Sequence, residues 1–206
     1  MDSMKRSTAV MSRRAFLGAP AACLLPVRVF GAAAAAGSVE ALTGKGFAES
    51  DGLRRDLAVA SDVFVGDLVG TGRRSRLTLQ LGTTTRIKLG AEARVRIDSF
   101  IVDAGGVLEL QGGAMLFDGE PQNGADISVR SPFALIAVRG TRFFAGPSAG
   151  VFGVFVVRGH VSVTAAARQV EVTTGQGTNI ANPGAPPTDP AKWGETRIRE
   201  ALASVQ

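Results

Sequence analysis

"SRLTLQLGTTTRIKLGAEARVRID", residues 75–98, alternates apolar and polar side chains through three short runs separated by Gly82 and Gly90. Leu77, Leu79 and Leu81 fall on one side of an extended chain, and Thr78 and Gln80 on the other; Val95 and Ile97 repeat the arrangement. A period of two residues is the signature of a strand with one buried and one wet face. The pattern continues outward from this stretch between Val63 and Ile180, in VLELQGG (107–113), ISVRSP (127–132), HVSVTA (160–165) and QVEVTTG (169–175). The runs recur at intervals too short to hold crossover helices, which predicts an all-β body. Weak repetition among the first three runs favours a solenoid-like or β-roll stack of short strands over a sandwich or barrel.

The chain of 206 residues is 45% hydrophobic, enough for one ordinary core. Its formal charge of +5 is concentrated at the N-terminus, where Lys5, Arg6, Arg13, Arg14 and Arg28 face only Asp2. From Gly37 onward 18 basic residues stand against 17 acidic ones, so the body lacks the basic excess that a nucleic-acid partner requires. The leader places Arg13 and Arg14 before Phe16, Leu17 and a mildly apolar, Ala-rich run that is too short to span a bilayer. It resembles a twin-arginine export signal, with cleavage expected between Gly31 and Gly37. The expected organisation is a signal peptide at 1–36, a β domain at 37–181, a Pro-rich linker at 182–190 and a C-terminal helix at 191–206. Export to the periplasm, with no stable membrane span after cleavage, follows from that reading.

Cys23 lies in the leader, so the mature chain has no thiol, and His160 is its one histidine. Neither thiol catalysis, a His-rich metal centre nor an ordinary triad can be assembled from these residues. Asp118 and Glu120, the closest acid pair, sit in a Gly/Pro/Asn turn where acids are common. No catalytic residue, metal ligand or cofactor is expected, and the chain reads as a non-enzyme.

SPFALIAVRGTRFFAG (131–146) drives a polar unit, Arg139, Gly140, Thr141 and Arg142, between two apolar runs. The alternation of Phe133, Leu135 and Ala137 with Ala134, Ile136 and Val138 predicts a strand buried on both faces, which has to bend at Gly140. Arg139 and Arg142 are then expected side by side at a structural corner, their guanidinium groups bonding turn carbonyls or carboxylates such as Asp67, with an anion or partner contact as the alternative. The tail, AKWGETRIREALASVQ (191–206), predicts a helix with Trp193, Ile198, Ala201, Leu202 and Val205 along one face. Its expected role is to cap an open end of the β stack or to dock on a partner.

Several steps resemble a FecR domain. They are Gly66-Asp67-Leu68-Val69, Ser75-Arg76-Leu77, the strand Gly112 to Phe117, Val129-Arg130-Ser131-Pro132, Val138-Arg139-Gly140-Thr141-Arg142-Phe143, and the Gly175-Gln176-Gly177 turn. The resemblance runs from about Phe47 to Ile180, and the R-G-T-x-F step is its most specific part. It implies a β-rich, solenoid-like periplasmic module used for protein-protein signalling, without catalysis. The family's cytoplasmic anti-sigma region and membrane span are replaced here by the export leader. The implied partner is an envelope protein, self-association stays open, and the competing readings are a ligand- or carbohydrate-binding β protein and a self-associating envelope protein.

Overall fold

The computed structural model describes residues 35–101, 105–120 and 127–206; the paired arginines of the leader lie outside them. Alternation becomes strands throughout. The first group is β1 (Ala35–Thr43), β2 (Gly46–Ser50), β3 (Leu53–Leu57), β4 (Asp62–Phe64), β5 (Leu68–Thr71) and β6 (Arg76–Leu81). Then come β7 (Thr85–Leu89), β8 (Arg94–Ile101), β9 (Gly105–Gly112), β10 (Met115–Gly119), β11 (Ile127–Arg130) and β12 (Leu135–Val138). The last are β13 (Thr141–Ser148), β14 (Val151–Arg158), β15 (His160–Ala165), β16 (Arg168–Thr173), β17 (Gln176–Ile180) and β18 (Ala191–Lys192), followed by the helix α1 (Glu195–Ala203).

The described strands form two open nine-stranded sheets. Sheet A runs β18-β17-β14-β13-β10-β7-β6-β1-β4, and sheet B runs β16-β15-β12-β11-β9-β8-β5-β2-β3. The chain therefore switches sheets repeatedly while advancing along both in nearly sequential order. Every pairing is antiparallel except β9 with β11.

One core lies between the sheets, filled by the inward members of each alternation. Leu77, Leu79, Leu81, Ile87 and Leu89 enter it from sheet A, and Val95, Ile97, Leu108 and Leu110 from sheet B. All are at most 1% exposed, so the hydrophobic effect acts through these positions, at roughly 1.5–3 kcal/mol for each large side chain. Phe117 and Phe143 pack with ring centroids 5.3 Å apart, and Phe133 stacks on Phe152 at 4.6 Å. The segment before Arg139 is not buried on both faces: Ile136 and Val138 face the core, while Leu135 is 42% exposed and Ala137 is open to solvent. Among the described residues no layer covers sheet B there, and its outward apolar residues stay wet.

The helix does not cap an end of the stack. It lies on the outer face of sheet A, where Trp193, Ala201 and Val205 cover Ala114, Leu116, Phe144 and Phe155 in a second, smaller core. Trp193 stacks on Phe155 with centroids 5.1 Å apart, over Gly153 and Gly177, where a Cβ would lie 2.7 and 2.3 Å from the ring. Arg197 lies over the indole, 3.6 Å from its centroid, and donates to Asn179 Oδ1 and Ser148 Oγ at 2.7 and 3.0 Å. Burial lowers the pKa of this guanidinium from the usual arginine value. The Pro-rich stretch before the helix is stitched to both sheets. Thr178 Oγ1 donates to Thr188 O at 2.7 Å, and Arg168 bonds Pro187 O and the Asp189 carboxylate.

Candidate interaction site

Val138 ends β12 in sheet B and Thr141 opens β13 in sheet A, so Arg139 and Gly140 make a crossing between the two sheets. Gly140 has φ +63°, in the left-handed region that a β-carbon disfavours. Thr141 is fully buried, and its Oγ1 has no hydrogen-bond partner among the described residues. Beside this corner lies a second crossing, from Arg158 in sheet A to His160 in sheet B, turned by Gly159 at φ +86°. A Cβ on Gly159 would fall 2.6 Å from both Gly140 O and Thr141 Cγ2. The two corners are thus packed against each other. Gly159 was not singled out in the sequence, although the Arg158-Gly159 dipeptide between two apolar runs repeats the signal of Arg139-Gly140.

The corner does not hold its arginines side by side. Arg139 is exposed on the outer face of sheet B, at a depression of about 280 Å³ that it shares with Ser128, Ala137, His160, Ser162 and Glu171. Arg142 is on the outer face of sheet A, with Nη1 3.7 Å from Asp118 Oδ2. The crossing sends the two side chains to opposite surfaces of the molecule.

On sheet A the strand registers align a polar row directly across five strands, β6-β7-β10-β13-β14: Gln80, Arg86, Asp118, Arg142 and Arg158. Arg86 bonds Glu40 at 2.5 Å, and Arg158 reaches Asp118 at 3.2 Å and Glu120 at 3.3 Å. A depression of about 280 Å³ opens over Gln80, Thr83, Thr84, Arg86, Asp118, Glu120 and Arg158. The Nε of Arg142 is buried and has no acceptor among the described residues. Asp118 and Glu120 therefore serve arginines rather than forming an acid pair. Alternation places each of these residues outward, but only the pairing between distant strands lines them up.

Asp67 is 2% exposed and belongs to the framework. Its Oδ2 accepts from Arg55 Nη2 at 2.5 Å and from the Phe64 N–H at 2.8 Å, which fixes the turn between β4 and β5. Gly66 turns there at φ +93°, and its carbonyl accepts from Arg96 at 3.1 Å. His160 is exposed on sheet B, whereas Asp118 and Glu120 border the depression on sheet A, so no acid-base pair is assembled from them. No cluster of three metal-ligating side chains occurs among the described residues. No helix among them is long and apolar enough to cross a membrane. What this surface offers is guanidinium groups, hydroxyls and shallow relief.

Residues 67–162 match the family model described as "FecR protein". A search of curated proteins gives no match. Two crystal structures of a candidate anti-sigma factor from Parabacteroides distasonis superpose with a TM-score of 0.56 at 17% identity. The match covers 66% of this chain and 64% and 63% of the two solved chains, so it spans a little under two thirds of their length. At that identity the likeness speaks to the fold. The stretch that matches, residues 67–162, contains both halves of the corner and all of the row from Arg86 to Arg158, so the likeness to a FecR domain spans the candidate site.

Proposed function

We propose that the chain is an exported, non-catalytic interaction module of an envelope sensing or regulatory system, acting in the periplasm through surfaces fixed by the Arg139–Arg142 corner. The observation that carries this reading is the corner itself. The most specific FecR step in the sequence exposes one arginine and leaves the other short of acceptors, in a framework whose remaining polar groups are largely satisfied. The nearly neutral body, and the placement of Asp118 and Glu120 on the sheet opposite His160, favour binding over chemistry. The ordered alternation of the chain between two sheets supports a solenoid-like description of the domain.

Burial at the start of β1 supports a cut in the upstream part of the expected window. Ala36 is 3% exposed, and Gly37 is so tightly paired that a Cβ would sit 2.0 Å from Gln80 O. A cut that keeps β1 intact falls before Ala35. The functional reading is tested by placing a photo-crosslinking residue at Arg139 in the full chain, in its native cells, with exposed Val59 as the control position. A discrete adduct with one envelope protein from position 139 and none from 59 is expected. Equal, diffuse labelling from both positions would overturn it.

A further inference from the structure

We propose that β3, the free edge of sheet B, pairs with β3 of a second copy of the chain, antiparallel and centred on Arg55, to make a weak two-fold dimer. This contact is separate from the Arg139–Arg142 corner and needs no envelope partner.

The backbone leaves this edge open. β3 ends sheet B, and β2 is its one strand partner among the described residues. Asp51 and Gly52, at φ +51° and +75°, form the two-residue turn between them, which closes on the hydrogen-bonded pair Ser50 and Leu53. Every second pair along the ladder is bonded in the same way, so Leu53, Arg55 and Leu57 turn their N–H and C=O groups toward β2. Those of Arg54 and Asp56 point to the open edge, where both residues are exposed. An unpaired row of this kind is a template for another strand.

Charge selects the occupant and the register. Antiparallel self-pairing has to match outward groups with outward groups, which leaves three registers in which three or more residues overlap. Two of them set Arg54 against Arg54 or Asp56 against Asp56, like charges directly opposite. The third pairs all five residues of β3 and sets Arg54 against Asp56 twice, once on each side of the two-fold axis. Neither side chain has an ion-pair partner among the described residues; Arg54 rests on the Phe47 ring, 3.6 Å from its centroid. Leu53 shares the inward side of β3 with Leu57, yet is 79% exposed. In the third register it meets Leu57 of the second copy in a non-hydrogen-bonded pair, where side chains come closest. Arg55 meets its own counterpart, and each is already held by the Asp67 carboxylate at 2.5 Å and the Asp62 carbonyl at 3.0 Å. A five-residue ladder is smaller than a standard interface, so the dimer is weak, and it uses up the edge that forms it.

The test is sedimentation velocity of the full chain over a concentration series at low ionic strength. A monomer–dimer equilibrium without larger species is expected. Arg54→Glu and Asp56→Lys should each weaken the dimer about tenfold or more, since each turns two attractive pairs into two repulsive ones. Mixed with one another, the two variants should dimerise about as well as wild type, and the double variant Arg54→Glu/Asp56→Lys should do so alone. Arg199→Glu on α1, with the same charge change as Arg54→Glu, should leave the equilibrium where it is. A chain that stays monomeric at every concentration overturns the proposal, as does growth past the dimer, which marks contact between unlike edges. Equal weakening by Arg199→Glu overturns it as bulk charge, and a dimer that survives both single variants overturns it by placing the interface elsewhere. If either single variant melts below wild type, Leu53→Gln, at a side chain that is exposed in the monomer, carries the comparison: a weaker dimer supports the pairing and an unchanged one overturns it.

Discussion

Gly177→Ala places a methyl group where the indole of Trp193 already lies. The added Cβ would sit 2.3 Å from Nε1 and 2.5 Å from Cε2, with the Val154 carbonyl oxygen 2.8 Å away on the neighbouring strand. Carbon contacts relax near 3.5–4.0 Å, so the ring has to move by about 1 Å or more. The ring has little freedom to do so, because Phe155 stacks on it and Arg197, tied to Ser148 and Asn179, packs over it. Overpacking of this kind costs about 1–3 kcal/mol, and complete loss of a buried tryptophan about 3–5, which sets the ceiling. Taking about 2–3 kcal/mol, and about 2–4 °C per kcal/mol for a domain of this size, the midpoint falls by roughly 4–12 °C. Trp193 is the chain's one tryptophan, so its emission reports the docking of α1 without labelling. A red shift in Gly177→Ala should accompany the lower midpoint. Gly194→Ala is the control, since a Cβ there meets nothing within 4 Å. An emission maximum and melting curve for Gly177→Ala that match wild type would refute the claim that the indole is seated on that glycine.

Gly140→Val puts a branched side chain at φ +63° and is expected to cost at least about 1–2 kcal/mol, read as a lower thermal midpoint; wild-type melting would mean that the corner does not depend on the left-handed conformation. Asp67→Ala removes the acceptor of both Arg55 and the Phe64 N–H and should cost about 2–3 kcal/mol by urea denaturation, with Asp67→Asn losing less because it still accepts. Replacing Arg13 and Arg14 together by Lys should leave unprocessed chain in the cytoplasm, and N-terminal sequencing of the exported wild type should begin no later than Ala35. Undiminished export of the double variant would show that another route is used.

The strands were legible because inward and outward residues differ sharply in polarity: Leu77, Leu79 and Leu81 against Arg76, Thr78 and Gln80 leave one solution. Where both faces are apolar the same rule fails in two directions. At 133–138 the outward Leu135 and Ala137 are wet, because no described residue covers sheet B there. At Leu116, Phe144 and Phe155 the outward residues are buried, because α1 lies on them. Those runs, MLF, FFA and VFV, held the signal for a covering element, but local periodicity cannot distinguish a covered face from a bare one. The corner at Gly140 was readable from the glycine. The divergence of Arg139 and Arg142 was not, since it depends on which sheet each flanking strand joins. The row from Arg86 to Arg158 is similarly a product of register between strands whose paired residues are 16 to 32 positions apart, which no short window contains.

The near-sequential strand order has a mechanical consequence. Both sheets are built up in step with the chain, so tension applied at the C-terminus loads the molecule from one end. The helix and Trp193 would leave first, then β18, then β17 from β14, while the strands near β1 stay loaded only through their successors. Because antiparallel hairpins such as β13–β14 and β15–β16 separate one hydrogen-bond pair at a time when their ends are pulled apart, extension proceeds as a series of small yields rather than one high-force rupture. Pairings between strands distant in the chain, such as β14 with β17, β10 with β13 and the parallel β9 with β11, separate those small yields, since their ladders are not opened by pulling on a hairpin's two ends.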